Sequence, residues 1–296
     1  MSPTPDRART RARRRRTPWS LIMIRLYFAV VGRILPWVAA RTAYRLWFRT
    51  HRHPTPGREA RWLEGARQDR IDHEYGPLAV SMWGDEGPTI LLVHGWDGRG
   101  SQMGAFAAPL VDAGFRVVAY DLPAHGNSPG DSTNVFRVID TLEAVADAYG
   151  PVYGVIAHSF GVFATTLALA DHIEARAVVC ISSPNSLHWL AARFARILHI
   201  PNATWQIFIR RIEKEFGADI WHRLTLDHTA KKLSVPALIV HDEDDYDVLW
   251  EQGQRLAAAW PGAEFMKTKG LGHRRILRDL RVVEAAVRFL SERRGS

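Results

Sequence analysis

A serine, a cluster of acidic residues and a histidine occur in this order along the chain, and each follows a short apolar stretch. Ser159 comes two residues after the apolar run 155–157, the acidic residues 242–245 come two residues after the apolar run 237–240, and His273 follows the predicted strand 264–267, which has Phe265 and Met266 at its centre. A histidine can take the proton of a serine hydroxyl while a carboxylate orients the histidine, which makes the serine a nucleophile. These residues therefore predict nucleophilic catalysis, provided that the fold brings them together.

The residues around Ser159 predict an unusually tight turn. The apolar pattern stops at the serine and resumes at once with Val162 and Phe163. An ordinary connection from a strand to a helix takes about two to six residues, so we expect Ser159 at the apex of a strained turn. Ala157 and Gly161 have the small side chains that crowded backbones require. A serine that simply caps the first turn of a helix is the competing interpretation.

The elements that must position these residues alternate from residue 71 onward. The predicted strands are 78–83, 90–93, 116–120, 152–157, 176–181, 237–240 and 264–267, and the predicted helices are 103–113, 135–148, 161–170, 249–259 and 276–290. Strands that are almost continuously apolar indicate a mostly parallel sheet covered by helices on both faces, hence an α/β fold. We expect 78–83 to be an antiparallel edge strand. Groups just past the carboxyl ends of parallel strands meet the ligand.

The sequence is predicted to have three parts: an N-terminal segment, the alternating α/β core and an insertion within that core. Residues 1–55 form a basic arm followed by an amphipathic segment, and residues 56–184 and 233–296 form the α/β core. Residues 185–232 contain a helical pattern with many bulky side chains and no strand, which predicts a helical cap inserted into the core. Its aromatic residues either pack the cap helices together or form an apolar acyl pocket over the serine.

The charge of the chain is concentrated at its N-terminus. The net charge is +8, yet residues 1–53 contain thirteen arginines and one aspartate, so the remaining chain is mildly acidic. That balance does not favour a specific nucleic-acid-binding face on the folded domain. Cys180, in an apolar segment, is the only cysteine of the sequence, so an intramolecular disulfide cannot form. A chain without disulfides fits a reducing, cytoplasmic location.

The residues after Pro36 predict an amphipathic helix. One face carries Arg41, Arg45, Arg49 and Arg52. The other carries Ala39, Ala43, Leu46 and Trp47. This composition is typical of a helix that lies on an anionic membrane surface, with Trp and Leu inserted, so residues 1–53 are expected to bind the inner face of a membrane. A helix packed on the domain, a loose contact of the arginines with nucleic acid, and an export signal or spanning segment remain open.

Taken together, five segments resemble the α/β-hydrolase superfamily over about residues 70–292. They are His94-Gly95-Trp96, residues 121–128, Ala157-His158-Ser159-Phe160-Gly161, residues 242–248 and Gly270-Leu271-Gly272-His273. The third is a variant of the nucleophile elbow Gly-x-Ser-x-Gly. The resemblance implies that Ser159 is the nucleophile and His273 the base, while Asp245 is the acid, with Asp242 as its nearest rival. It also implies an oxyanion hole formed by the backbone N–H groups of Trp96 and Phe160.

The resemblance is to serine esterases and lipases with a helical cap, because aspartate replaces the serine in haloalkane dehalogenases and epoxide hydrolases. It implies a hydrolase that cleaves carboxylic esters through an acyl-enzyme and needs no cofactor. Thioester or carbon–carbon bond hydrolysis, and a slow sensor that only binds a ligand, remain open. The carboxylates of Asp242, Asp244, Asp245 and Asp247 lie close together in one loop, but a solvated acidic turn is favoured over a metal site. His94, His125 and His158 are expected to bind loop backbones.

Overall fold

The structure, a computed structural model, describes residues 18–294, so the predicted basic arm at residues 1–17 lies outside the described part. The strands are β1 Arg67–Ile71, β2 Leu78–Trp83, β3 Thr89–Val93, β4 Arg116–Tyr120, β5 Val152–His158, β6 Ala177–Ile181, β7 Ala237–Asp242 and β8 Glu264–Thr268. They form one eight-stranded sheet in the order β1-β2-β4-β3-β5-β6-β7-β8. β2 pairs antiparallel with β1 and β4, and the other neighbours pair in parallel. The predicted fold is confirmed.

The helices precede the sheet, follow its strands and form the insertion. They are α1 Trp19–Ile34, α2 Pro36–Phe48, α3 Gly57–Trp62, α4 Ala107–Asp112, α5 Val135–Tyr149, α6 Phe160–Asp171, α7 Leu187–Leu198, α8 Asn202–Phe216, α9 Ile220–Arg223, α10 Leu226–Ala230, α11 Trp250–Ala259, α12 Gly272–Arg275 and α13 Leu280–Glu292. Two predicted helices are interrupted. Residues 100–106 and 276–278 are 3₁₀ turns that lead into α4 and, after the capping residue Asp279, toward α13.

Both faces of the sheet are buried, which explains the apolar strands. Along β3, Leu91 and Val93 belong to the core on one face, while Ile90 and Leu92 belong to the core on the other. Helices α5, α6 and α11 cover the first face, and α4 and α13 cover the second. Alternate residues of a strand point to opposite faces, so a strand buried on both faces must be apolar at every position.

The prediction that residues 78–83 form the edge of the sheet is wrong. β2 is antiparallel as expected, but β1 pairs with its outer side and is the edge strand. β1 has the sequence Arg-Gln-Asp-Arg-Ile and is almost entirely exposed. An edge strand in water can carry polar residues on both faces, and such a strand has no apolar pattern that could reveal it.

The insertion between β6 and β7 consists of α7–α10, which we call the cap, and the helices α1 and α2, which we call the hairpin, pack against it. Ala39, Ala40 and Ala43 of α2 are buried, and Trp47 contacts the rings of Phe194 and Phe208 at 5.3 and 6.1 Å. The prediction that this face of α2 inserts into lipid is therefore wrong. Periodicity shows that a helix face is apolar, but it does not show which apolar surface covers it.

The close packing of α1 on the cap generates a prediction. A Cβ atom at Gly32 would lie 2.9 Å from Cδ of Pro201 and 3.2 Å from Oγ1 of Thr204. Gly32→Val should therefore lower the free energy of unfolding by about 1–3 kcal/mol, as overpacking does in other cores. Urea unfolding followed by tryptophan fluorescence measures the change. Gly57→Val is the matched control, since a Cβ there has no atom within 4 Å; equal losses in both variants would contradict the packing argument.

Candidate active site

Ser159 stands at the junction of β5 and α6 in a strained backbone conformation. Its φ of 53° and ψ of −118° lie outside the backbone regions that residues other than glycine normally adopt. Its N–H donates a hydrogen bond to the carbonyl oxygen of Ile181 on β6 at 2.8 Å. A Cβ at Gly161 would approach the carbonyl oxygens of Val93 and His94 to 2.6 Å. Glycine is therefore required there, and the predicted tight turn between strand and helix is present.

His273 connects the serine to one of the acidic residues. Its Nε2 lies 3.0 Å from Oγ of Ser159, and its Nδ1 lies 2.7 Å from Oδ2 of Asp245. A carboxylate can only accept, so Nδ1 carries the proton and Nε2 is free to accept from the serine hydroxyl. The structure thus brings together the three residues that the sequence singled out. The chain of contacts can move a proton from Ser159 to His273.

Asp245 is held as a buried carboxylate. Its Oδ1 accepts hydrogen bonds from the N–H groups of Asp247 and Val248, both at 2.9 Å. Burial opposes ionisation, but contacts with His241 and His273 outweigh it and hold the pKa of the Asp245 carboxyl well below its usual range. The prediction of a solvated acidic turn is therefore wrong for this residue, which is only 2% exposed.

Asp242, the rival for the same role, has a different set of partners. It accepts from the N–H groups of Leu271 and Gly272 at 3.1 and 2.8 Å, and from the hydroxyl of Thr268 at 2.7 Å. These bonds hold the loop that immediately precedes His273. Burial alone would raise the pKa of Asp242, but the bonds from Gly272, Thr268 and Leu271 lower it below its ordinary value. The contact with the imidazole belongs to Asp245.

His158 supports His273 from a third direction. Its Nε2 donates to the carbonyl oxygen of His273 at 2.8 Å, and the two rings lie 4.7 Å apart. Burial lowers the pKa of His158 well below its usual value, so the ring is neutral. As expected from the sequence, His158 binds a loop backbone, and the structure shows that this is the backbone of His273. In the sequence, only the position of His158 next to Ser159 indicated that it could have a role in the site.

His94 and His125 hold the loops after β3 and β4, as expected. Nε2 of His94 accepts from the N–H of Leu122 at 2.9 Å, and Nε2 of His125 accepts from the N–H of Asp97 at 3.0 Å. Burial lowers the pKa of each histidine to about 4. Both rings are therefore neutral at pH 7 and able to accept these bonds.

Trp96 and Phe160 lie in the same region of the site as the serine. Their rings meet edge to face with centroids 5.0 Å apart, and both residues line the same cavity as Ser159. A Cβ at Gly95 would come within 2.9 Å of Cβ of Ser159, so the loop that carries Trp96 packs directly on the serine. The oxyanion hole formed by the backbone N–H groups of these two residues stays a prediction.

A cavity of about 490 Å³ contains Ser159 and His273 in its wall. Most of its wall is apolar. Two segments outside the sheet contribute much of this apolar surface. The cap contributes Leu187, Leu190, Phe194, Ile212 and Phe216, and the hairpin contributes Leu46, Trp47 and Phe48. Within residues 18–294, no group of three or more His, Cys, Asp or Glu side chains is arranged to hold a metal ion.

The comparisons with known proteins agree with this architecture. The model of the alpha/beta hydrolase family matches residues 90–286, which is more than half of the chain. The chain therefore belongs to the alpha/beta hydrolase family, and the resemblance stated from the sequence is confirmed. No curated protein matches the chain.

Several solved structures share the fold at low sequence identity. A membrane phospholipase A, described as a bacterial virulence factor, is 18% identical with a TM-score of 0.61, and the match covers 94% of this chain and 98% of that one. An esterase from Rhodococcus sp. ECU1013 is 19% identical with a TM-score of 0.58, covering 77% and 98%. The thioesterase domain from the curacin biosynthetic pathway is 17% identical with a TM-score of 0.56, covering 78% and 99%. At such identities these likenesses show the fold alone.

The buried bonds of Asp242 predict an acid-dependent loss of stability. The pKa of Asp242 is lower in the folded than in the unfolded protein. The contribution of Asp242 to the free energy of unfolding is therefore complete above its unfolded pKa of about 3.9, and it is lost as the pH falls through its folded pKa. Asp242→Asn should lower the free energy of unfolding at pH 7 by about 1–3 kcal/mol, since the amide cannot satisfy every donor around it. Urea unfolding at several pH values between about 7 and 2 measures both effects.

The slope below about pH 5 should be shallower in Asp242→Asn than in the wild type. Asp85→Asn, in the exposed turn between β2 and β3, is the control and should leave both the stability and the slope unchanged. Parallel pH profiles for the wild type and Asp242→Asn would refute the role of these hydrogen bonds.

Proposed function

We propose that the chain is a serine hydrolase that cleaves carboxylic esters with an apolar acyl group. The observation that carries this proposal is the continuous contact from Ser159 through His273 to Asp245, at 3.0 and 2.7 Å, in the wall of a cavity. A histidine bonded to a buried carboxylate on one side and to a serine hydroxyl on the other is the arrangement that activates serine.

The reaction would proceed through an acyl-enzyme. Nε2 of His273 takes the proton of Ser159 as Oγ attacks the ester carbonyl carbon, and the tetrahedral intermediate collapses when His273 returns the proton to the leaving alcohol. Water then attacks the acyl-enzyme with His273 as base, which releases the carboxylic acid and the free serine. The N–H groups of Trp96 and Phe160 would receive the oxyanion, a contribution of roughly 10²–10³ in rate per donor.

The cavity wall supports an apolar acyl group as the part of the substrate that is bound. Side chains such as Leu190, Phe194 and Trp47 line the space next to the serine, and an apolar wall binds hydrocarbon by removing it from water. The solved structures that share this fold include a phospholipase, an esterase and a thioesterase. The thioesterase among them makes thioesters a second candidate class of substrate, because an oxygen ester and a thioester require the same serine chemistry.

A cytoplasmic location of the protein stays a prediction.

Covalent labelling tests the nucleophile. A fluorophosphonate probe should label the wild type, and Ser159→Ala should lose the label because the probe bonds to the activated serine oxygen. Asp245→Asn should slow labelling by roughly 10³–10⁴-fold, since it disturbs the orientation and tautomer of His273. Mass spectrometry of the labelled protein gives both the site and the rate.

Ser81→Ala is the control for this experiment, because Ser81 is on β2 with its hydroxyl bonded to Gln68, and it should be labelled like the wild type. A well-folded wild type that resists the probe would defeat the hydrolase proposal. Labelling that survives Ser159→Ala would mean that another residue is the nucleophile.

Leu190→Trp tests the acyl cavity. The larger ring should fill space that a longer acyl chain needs, so the ratio of kcat/KM for the octanoyl ester to that for the acetyl ester should fall at least about tenfold. Matched p-nitrophenyl esters and the corresponding thioesters measure the ratio and the preferred leaving atom. Leu280→Trp is the control, because Leu280 is 75% exposed on α13. An unchanged ratio in Leu190→Trp would show that the acyl group binds elsewhere.

A further inference from the structure

The outward side of α1 is a continuous apolar surface. Its members recur every three or four residues, which places them on one side of a helix. We call this surface the α1 stripe; it consists of Trp19, Ile22, Met23, Leu26, Val30 and Ile34, which are between 41% and 80% exposed. Exposed apolar patches of this kind mark sites of interaction with a protein or a membrane.

The opposite side of the same helix is already used by the protein. Phe28 is fully buried, and the backbone of Gly32 packs on Pro201 and Thr204 of the cap region. A helix that covers a soluble domain normally has one apolar and one polar side, whereas α1 is apolar on both. Packing against the cap therefore does not account for the α1 stripe.

Specific bonds hold α1 in place, so a firmly attached helix presents the stripe. Nε of Arg25 donates to the carbonyl oxygen of Ile197 at 2.7 Å, and Oγ1 of Thr204 donates to the carbonyl oxygen of Gly32 at 2.9 Å. Tyr27 and Thr42 join α1 to α2 through their hydroxyl groups at 2.8 Å. A surface held on a folded scaffold loses less conformational entropy on binding than a flexible segment would.

The charge of the segment identifies the partner. Residues 7–58 contain no acidic side chain, and residues 1–53 contain thirteen arginines. Arg33 is exposed on α1 next to Ile34 of the stripe, and Arg41 is exposed on α2. A bilayer with anionic headgroups satisfies both features, because acyl chains accept the apolar side chains while the headgroups pair with the arginines. A second copy of this chain would instead bring two strongly positive segments together.

We propose that the α1 stripe docks the protein on the surface of an anionic lipid bilayer. α2 of the same hairpin forms part of the cavity wall through Leu46, Trp47 and Phe48, so docking through α1 holds a wall of the cavity next to the membrane. This places acyl esters dispersed in a bilayer within the substrate class, a conclusion that rests on the proposed function. Among residues 18–294, no helix has the length and hydropathy needed to cross a membrane.

Sedimentation with vesicles tests the proposal on the full chain. The wild type should pellet with vesicles of phosphatidylcholine and phosphatidylglycerol, and added salt or pure phosphatidylcholine should weaken binding. Leu26→Glu should lower the partition coefficient at least about tenfold, because it removes an apolar side chain that would insert into the bilayer and adds a charge that the anionic headgroups repel. Leu280→Glu, at an exposed position of α13 remote in sequence from the hairpin, is the matched control and should partition like the wild type.

Three outcomes would overturn the proposal. The first is a wild type that does not pellet with anionic vesicles, and the second is Leu26→Glu that pellets as well as the wild type. The third is a wild type that is a dimer in gel filtration and does not bind vesicles, together with a Leu26→Glu variant that is a monomer. This result would show that a second copy of the chain covers the stripe. Met23→Glu, at 59% exposure, replaces Leu26→Glu if that variant does not fold. Fluorophosphonate labelling of every variant separates a failure of docking from a failure of the proposed chemistry.

Discussion

Crowding of the backbone at the end of β5 is the constraint on which the site depends. Ser159 has a positive φ, a conformation that costs on the order of 1–3 kcal/mol and persists only when its surroundings enforce it. Gly161 allows α6 to start directly against the end of β3, and Gly95 allows the next loop to pack on the serine. The central strands thus impose the turn, and the turn places the serine in the wall of the cavity, which Trp96 and Phe160 also line.

The histidine is fixed by several independent bonds. Asp245 binds Nδ1, His158 donates to the carbonyl oxygen, and Asp242 accepts from the N–H groups of the two preceding residues. An imidazole held at the ring and at the backbone has little freedom to rotate, so Nε2 stays within reach of Ser159. Two aspartates from one acidic run therefore act in different ways, one on the ring and one on the loop.

The hairpin joins the two proposals. Its second helix contributes an apolar wall to the cavity, and its first helix turns an apolar stripe outward. Pro36 separates the helices: it supplies the first residue of α2, and proline cannot continue a helix from the preceding turn. A sequence with one long apolar segment thereby becomes two helices with different surroundings.

Local patterns in the sequence were enough to predict the apolar strands, the order of the elements and the positions of Ser159 and His273 past the strand ends, because burial on both faces and tight turns leave such patterns. It did not reveal β1, whose exposed polar residues carry no such pattern. Long-range contacts were needed to choose between Asp242 and Asp245 and to assign His158 to a carbonyl 115 residues away. They also bury the apolar face of α2 while leaving one apolar side of α1 exposed. Periodicity records that a face is apolar, whereas its partner depends on contacts between distant parts of the chain.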